Sequence, residues 1–121
     1  MKALLDEGVP KTVALLLREL GLEAAKFPNA WKGLRNGDLL RRLGENGYDC
    51  LITCDKNLLQ QQNTTGLEIS VIVLPTQDIV KLSAIAESIA AAFVEVRPNL
   101  PLLIDQDGGI RRFSAGKAQK N

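Results

Sequence analysis

The chain has 121 residues, 45% apolar and 24% charged, with 15 basic residues set against 14 acidic ones for a net charge of +1. That length suits one domain, and a chain of this size buries roughly two-thirds of the surface its unfolded form exposes, so an apolar core can hold it without disulfides or structural metal. Histidine is absent, which excludes Ser-His-Asp and Cys-His hydrolases, histidine-ligated zinc and every imidazole acid or base, while the cancelled net charge leaves any nucleic-acid contact to local clusters of Lys and Arg.

Ala3-Leu4-Leu5 is an apolar run that stops at Asp6-Glu7-Gly8 and predicts a buried strand ending in an acidic turn. A helix follows, with Pro10 where a first turn tolerates it, Val13, Leu16, Leu17 and Leu20 at helical spacing, and Gly21 as the stop. Glu23 to Phe27 is a weak strand candidate closed by Pro28-Asn29. Residues 31–37 read as a loop, and Asp38 is placed to cap a helix through Leu39, Leu40 and Leu43 that Gly47 ends. Tyr48 to Thr53 is the next strand, again running into a carboxylate, Asp55.

A short polar helix over Leu58 to Gln62 and a turn at Asn63-Thr64-Thr65-Gly66 lead to Ile69 to Leu74, the most β-rich run in the chain, which Pro75 terminates. Asp78 to Val94 reads as one long helix with Ile79, Leu82, Ile85, Ile89, Ala92 and Phe93 on its apolar face. Leu102-Leu103-Ile104 and Ile110 to Phe113 flank the turn at Asp105-Gln106-Asp107-Gly108-Gly109 and predict a terminal hairpin. Residues 1–113 are expected to form the domain, and residues 114–121 a loose tail.

Alternating strands and helices imply a three-layer α/β/α sandwich around a mostly parallel sheet, whose functional crevice lies beyond the carboxyl ends of the strands. Asp6, with Glu7 beside it, and Asp55 end two of those strands, and Asp38 heads the helix that enters the second. Carboxylates gathered on one rim repel one another unless a cation joins them. Mg²⁺ or Mn²⁺ takes oxygen ligands and can activate water and stabilise in-line displacement at phosphorus, with no need for histidine. Against this stands the simpler use of each acid as a solvated turn or cap residue, for which Asp38 is well placed. Asp49 enters its strand from the opposite edge, Asp78 reads as a cap, and Asp105 and Asp107 belong to a turn, so none of these four joins the candidate site.

Lys32, Arg35, Arg41, Arg42 and Lys56 neighbour these acids in sequence and could hold a phosphodiester backbone or simply form a solvated face. Trp31 is expected to pack onto the sheet rather than stack on a base. Cys50 and Cys54 lie too far along a strand to pair, and with no further Cys or His to complete a ligand set they read as free thiols of a reducing compartment. No signal-like segment and no apolar run of membrane-spanning length is present, so a soluble, cytoplasmic chain with no membrane partner is expected.

Leu4-Leu5-Asp6-Glu7-Gly8-Val9-Pro10, then residues 31–40 from Trp31 through Asp38 to Leu40, then Leu51-Ile52-Thr53-Cys54-Asp55-Lys56-Asn57-Leu58 with Gln61-Gln62-Asn63, resemble the small bacterial PIN-like proteins. These are stand-alone relatives of the PIN-domain nucleases, the superfamily that includes VapC toxins. The resemblance implies a PIN-like fold and Mg²⁺- or Mn²⁺-dependent ribonuclease activity, with an RNA substrate, an antitoxin protein and a second copy of the chain as expected partners. On that pattern Asp6, Asp38 and Asp55 are the catalytic, metal-binding acids. Glu7 stands nearest to the fourth acid usual in PIN nucleases, and Thr53, Asn57, Arg35 and Lys56 support the acids or contact substrate.

Two other classes fit some of the same residues. A phosphoacceptor receiver domain also places an acidic pair after its first strand, an Asp after its third and a Thr or Ser after its fourth, as Asp6-Glu7, Asp55 and Thr76 do, but Leu102 to Asp105 offers no Lys at the end of the last strand. A catalytically silent PIN-like binding module is the other.

Overall fold

The computed structural model describes residues 1–58, 68–98 and 100–112. The expected polar helix through Gln62, the turn at residues 63–66 and the tail at 114–121 lie outside these, apart from Leu58 at the head of that helix. The described residues form an α/β unit with a six-stranded, mostly parallel sheet in the order β2-β1-β3-β4-β5-β6. The strands are β1 (Lys2–Leu5), β2 (Glu23–Ala25), β3 (Cys50–Thr53), β4 (Ser70–Val73), β5 (Leu102–Ile104) and β6 (Ile110–Arg112), and only β6 runs antiparallel to its neighbour. The helices are α1 (Thr12–Glu19), α2 (Asn36–Glu45), α3 (Ile79–Ala84) and α4 (Ala86–Glu95), with a 3-10 turn at Asn29–Trp31.

Both central strands, β3 and β4, are buried at every residue, as befits parallel strands covered on two faces. Side chains alternate between two apolar layers. Ala3, Leu5, Ile52, Ile72 and Leu102 face α1, α3 and α4, and Leu4, Leu51, Val71 and Val73 face α2, Trp31 and Leu58. Trp31 packs onto the sheet as its sequence context predicts, edge-on to Phe27 at 6.4 Å and to Tyr48 at 6.3 Å between ring centroids.

Gly21 and Gly47 end α1 and α2 as expected, and the hydrogen bonds give the reason. Each adopts positive φ, 84° and 80°, and the following amide reaches back over the last turn, Leu22 N–H to the Leu17 carbonyl at 3.0 Å and Tyr48 N–H to the Leu43 carbonyl at 3.0 Å. That closure satisfies carbonyls a helix end otherwise leaves bare, and a left-handed residue makes it possible.

Two expectations are corrected. The long helix over 78–94 is two helices broken at Ile85 (φ −114°, ψ 23°). Ser83 Oγ donates back to the Ile79 carbonyl at 2.8 Å, a bond that bends helices, and Gly108 of the β5–β6 turn sits against the break, with so little room that a Cβ there would come within 2.7 Å of Ser88 Oγ. Asp38 does not cap α2: Arg35, extended at φ −73° and ψ 156°, occupies the cap position, and Asp38 lies in the first turn. Asp78, by contrast, caps α3 by accepting from Val80 N–H at 2.9 Å.

The crossovers are not all of one hand. The β1–α1–β2 unit moves toward one edge over the first face, and β2–α2–β3 returns over the other, so these two share a hand. The β4-to-β5 connection moves in that second direction but carries α3 and α4 over the first face, beside α1. Its hand is therefore opposite, and with the first two right-handed, as almost all such units are, it is left-handed. No helix among the described residues is long and apolar enough to cross a membrane.

Candidate functional site

In a doubly wound sheet, the crevice opens at the carboxyl ends of the two strands where winding reverses. In the order β2-β1-β3-β4-β5 that point lies between β1 and β3, and the residues that follow those two strands are Asp6 and Cys54-Asp55. The pairing of Leu5 with Ile52 brings the ends level, and Asp6 N–H extends the ladder by donating to the Ile52 carbonyl at 2.8 Å.

Thr53 joins the two carboxylate-bearing turns. Its hydroxyl, wholly buried, donates to Asp6 Oδ2 at 2.6 Å and accepts from Asp55 N–H at 3.0 Å. Asp6 Oδ1 accepts from Glu7 N–H at 2.8 Å, and Asp55 Oδ1 accepts from Asn57 N–H at 2.9 Å, closing an Asx turn. Each carboxylate is thus fixed in direction by neutral donors while remaining partly open to solvent. Among the described residues no Lys or Arg forms an ion pair with Asp6 or Asp55. The third turn on this rim, after β4, touches the same cluster: Cys54 Sγ–H donates to the Thr76 carbonyl at 3.3 Å, and Gly8 lies against the Gln77 amide.

The two thiols lack the environment of a nucleophile. Burial, and secondarily the charge of Asp49, pushes the Cys50 thiol up; burial, and secondarily the charge of Asp6, pushes Cys54 up. Both hold the neutral form, as expected for structural cysteines.

Asp38, the third acid of the expected set, is exposed and pairs with Arg41 at 3.0 Å, and no three acidic or thiol side chains among the described residues come together as a metal-holding group, so Asp38 does not join Asp6 and Asp55. Arg35 and Lys56 are exposed at the start of α2 and in the turn after Asp55. Asn57 enters through its backbone, and Arg42 lies over the Trp31 ring at 5.8 Å. Glu7 opens onto a cavity of about 560 Å³ lined also by Lys11, Lys26, Phe27 and Lys32. Lys11 and Lys26 are not legible as rim residues in the sequence, because neither neighbours an acid of the candidate set in the chain. Of the other acids, Asp49 accepts from Lys2 N–H at 2.9 Å, Asp105 pairs with Arg111, and Asp107 closes the β5–β6 turn.

Comparisons of this chain with protein-family models, curated proteins and solved structures return no match.

The donor set suits a hard divalent ion in part. A carboxylate has about four acceptor sites, and the hydrogen bonds above occupy only some of them on Asp6 and Asp55. Two carboxylates with waters completing the shell is the usual manner of holding Mg²⁺.

Proposed function

We propose that the chain is a Mg²⁺- or Mn²⁺-dependent phosphodiesterase acting on RNA, PIN-like in character, with Asp6 and Asp55 as its metal-holding carboxylates. The observation that carries this reading is the Thr53 hydroxyl tying two partly exposed carboxylates, free of basic partners among the described residues, to the switch point of the sheet. A divalent ion there, when bound, would supply Lewis-acid stabilisation at phosphorus and lower the pKa of a nucleophilic water.

The protein's own share is orientation and charge. Thr53 holds Asp6 in a single direction by directing its proton to Oδ2, which leaves the other lone pairs of both oxygens as acceptors for a cation. The Asx turn at Asp55 does the same from the β3 side, so binding requires little reordering. Lys56 and Arg35, exposed beside the acids in sequence, are available to the phosphate oxygens that flank the scissile bond. Asp38 supports this reading only as part of the rim's charge, since its carboxylate is engaged with Arg41. A neutralising antitoxin protein and self-association belong to the same reading.

Incubating single-stranded RNA with the wild-type chain and Mn²⁺ is expected to yield cleavage that chelation stops. The Asp6→Asn/Asp55→Asn variant should lose about 100-fold or more of that rate, beyond the effect typical of a residue that only supports a ligand. Equal rates in the two chains would remove the carboxylates from the mechanism.

The strand order favours one second reading, because 2-1-3-4-5 is also the order of flavodoxin-like receivers. Two observations weigh against it. The helices after β4 lie on the α1 face, where a uniformly right-handed fold would not put them, and β5 ends at Ile104 and is followed by Asp105, paired with Arg111, with no Lys. Stable labelling of Asp55 by a small phosphoryl donor would reverse that preference.

A further inference from the structure

Three cavities with lining residues in common lie along the β2 edge of the sheet. The first, about 560 Å³, opens beside Glu7 and is walled by Lys11, Lys26 and Lys32 with the Phe27 ring. The second, about 350 Å³, shares Lys11 and Lys26 with the first and adds Arg18, Thr12 and the apolar Ala14 and Leu15. Arg18 in turn lines the third, about 520 Å³, with Lys2 and Glu23. The track therefore passes from the carboxyl rim, where Glu7 adjoins Asp6, to the opposite end of β1 and β2.

Five cationic residues line these cavities against two acids, Glu7 and Glu23, with the Lys2 ammonium lying over the Tyr48 ring on the α2 side of the sheet. Among the described residues, Lys11, Lys26, Lys32 and Arg18 make no ion pair with an acidic side chain, so their charge is available to a ligand. Arg18 and Lys2 are held in place by other means, Arg18 Nε–H donating to the Ala24 carbonyl at 2.8 Å and Lys2 Nζ lying 4.5 Å from the centre of the Tyr48 ring. This is how a chain with a net charge of only +1 can present a local positive field.

We infer that the β2-edge track is a binding groove for a single-stranded phosphodiester chain, which it leads to Asp6 and Asp55. The inference rests on the phosphodiesterase reading for its direction, but the groove's affinity for the strand does not depend on catalysis. Charge complementarity names the ligand class: spaced cations along a connected groove match a polyanion with regularly repeated charge. Phe27, partly exposed at the carboxyl end and held edge-on by Trp31, offers an aromatic face on which a base can stack.

The test is binding of a fluorescein-labelled, mixed-sequence 12-nucleotide RNA to the full chain in chelator, measured by anisotropy across a salt series. The Asp6→Asn/Asp55→Asn variant should bind at least as tightly as the wild type, because it removes two negative charges from the end of the groove. Lys11→Ala/Lys26→Ala/Lys32→Ala should weaken affinity about tenfold or more, and its log-log salt slope should fall by about 2, near 0.7 for each phosphate no longer neutralised. Lys26→Glu should weaken binding while Lys81→Glu, on α3 outside these cavities, leaves it unchanged; circular dichroism melting confirms that each variant is folded. Unchanged affinity and slope in a folded triple variant overturn the groove, as does equal weakening in Lys81→Glu. So does salt-insensitive binding, or preference for a poly-glutamate peptide over the RNA. If RNA binds as predicted and no chain cleaves it when Mn²⁺ is restored, the groove stands and the phosphodiesterase reading fails; if RNA is cleaved but the triple variant binds it normally, the reverse holds.

Discussion

Thr53 carries a hydroxyl where Cys50, Leu51 and Ile52 before it are wholly buried in the sheet. A buried hydroxyl costs stability unless it is hydrogen-bonded, and here it is bonded twice, to Asp6 Oδ2 and to Asp55 N–H. Replacing it with the near-isosteric Val strands both partners, so Thr53→Val is expected to lose about 1–3 kcal/mol in urea unfolding, while Thr53→Ser should retain most of the wild-type value. A Val variant as stable as wild type would mean that the hydroxyl does not organise the rim. The places of Asp6 and Asp55 beyond two strand ends could be read from the sequence because each follows a short apolar run bounded by turn residues, the pattern of a buried strand. The role of Asp38 was not legible in the same way. Which residue caps a helix depends on where the backbone leaves the extended region, and that occurs at Arg35, outside the apolar pattern that marks α2.

The helices show the same division between local and tertiary causes. The stops at Gly21 and Gly47 were legible because a left-handed closure needs glycine, and the chain supplies it directly after each periodic run. The break at Ile85 was not, since the apolar stripe from Ile79 to Phe93 continues through it; it coincides with Ser83 bonding backward to Ile79 and with the close approach of the hairpin turn at Gly108 to Ile85 and Ser88. The two acids at helix starts differ accordingly in weight. Asp78→Ala removes a side-chain cap and should cost about 1 kcal/mol. Asp38→Ala removes only an ion pair whose side chains are 56% and 62% exposed, and should stay within about 0.5 kcal/mol of wild type. Thermal or denaturant unfolding of the two variants side by side checks both values, and an equal loss would contradict the assignment of the cap.

At the scale of the whole molecule, the α/β alternation and the mostly parallel sheet follow from apolar runs separated by amphipathic segments, and the antiparallel β6 from the glycine turn before it. Strand order and crossover hand do not follow from those patterns, because a run of Val and Ile pairs equally well with any neighbour. Both depend on which face each helix buries, and α3 and α4 bury theirs beside α1. The order that results puts the winding reversal between β1 and β3, and so turns two strand-ending acids distant in sequence into neighbours through one hydroxyl. The basic track on the β2 edge is likewise a product of assembly, gathering cations from β1, α1 and the loops around β2. Titration calorimetry with Mn²⁺ at neutral pH, comparing the wild type with a folded Asp6→Asn/Asp55→Asn variant, tests the rim most directly. Mn²⁺ is expected to bind the wild type about tenfold or more tighter than the variant, whereas equal affinity, or no measurable binding to either, would contradict a metal-holding pair at Asp6 and Asp55.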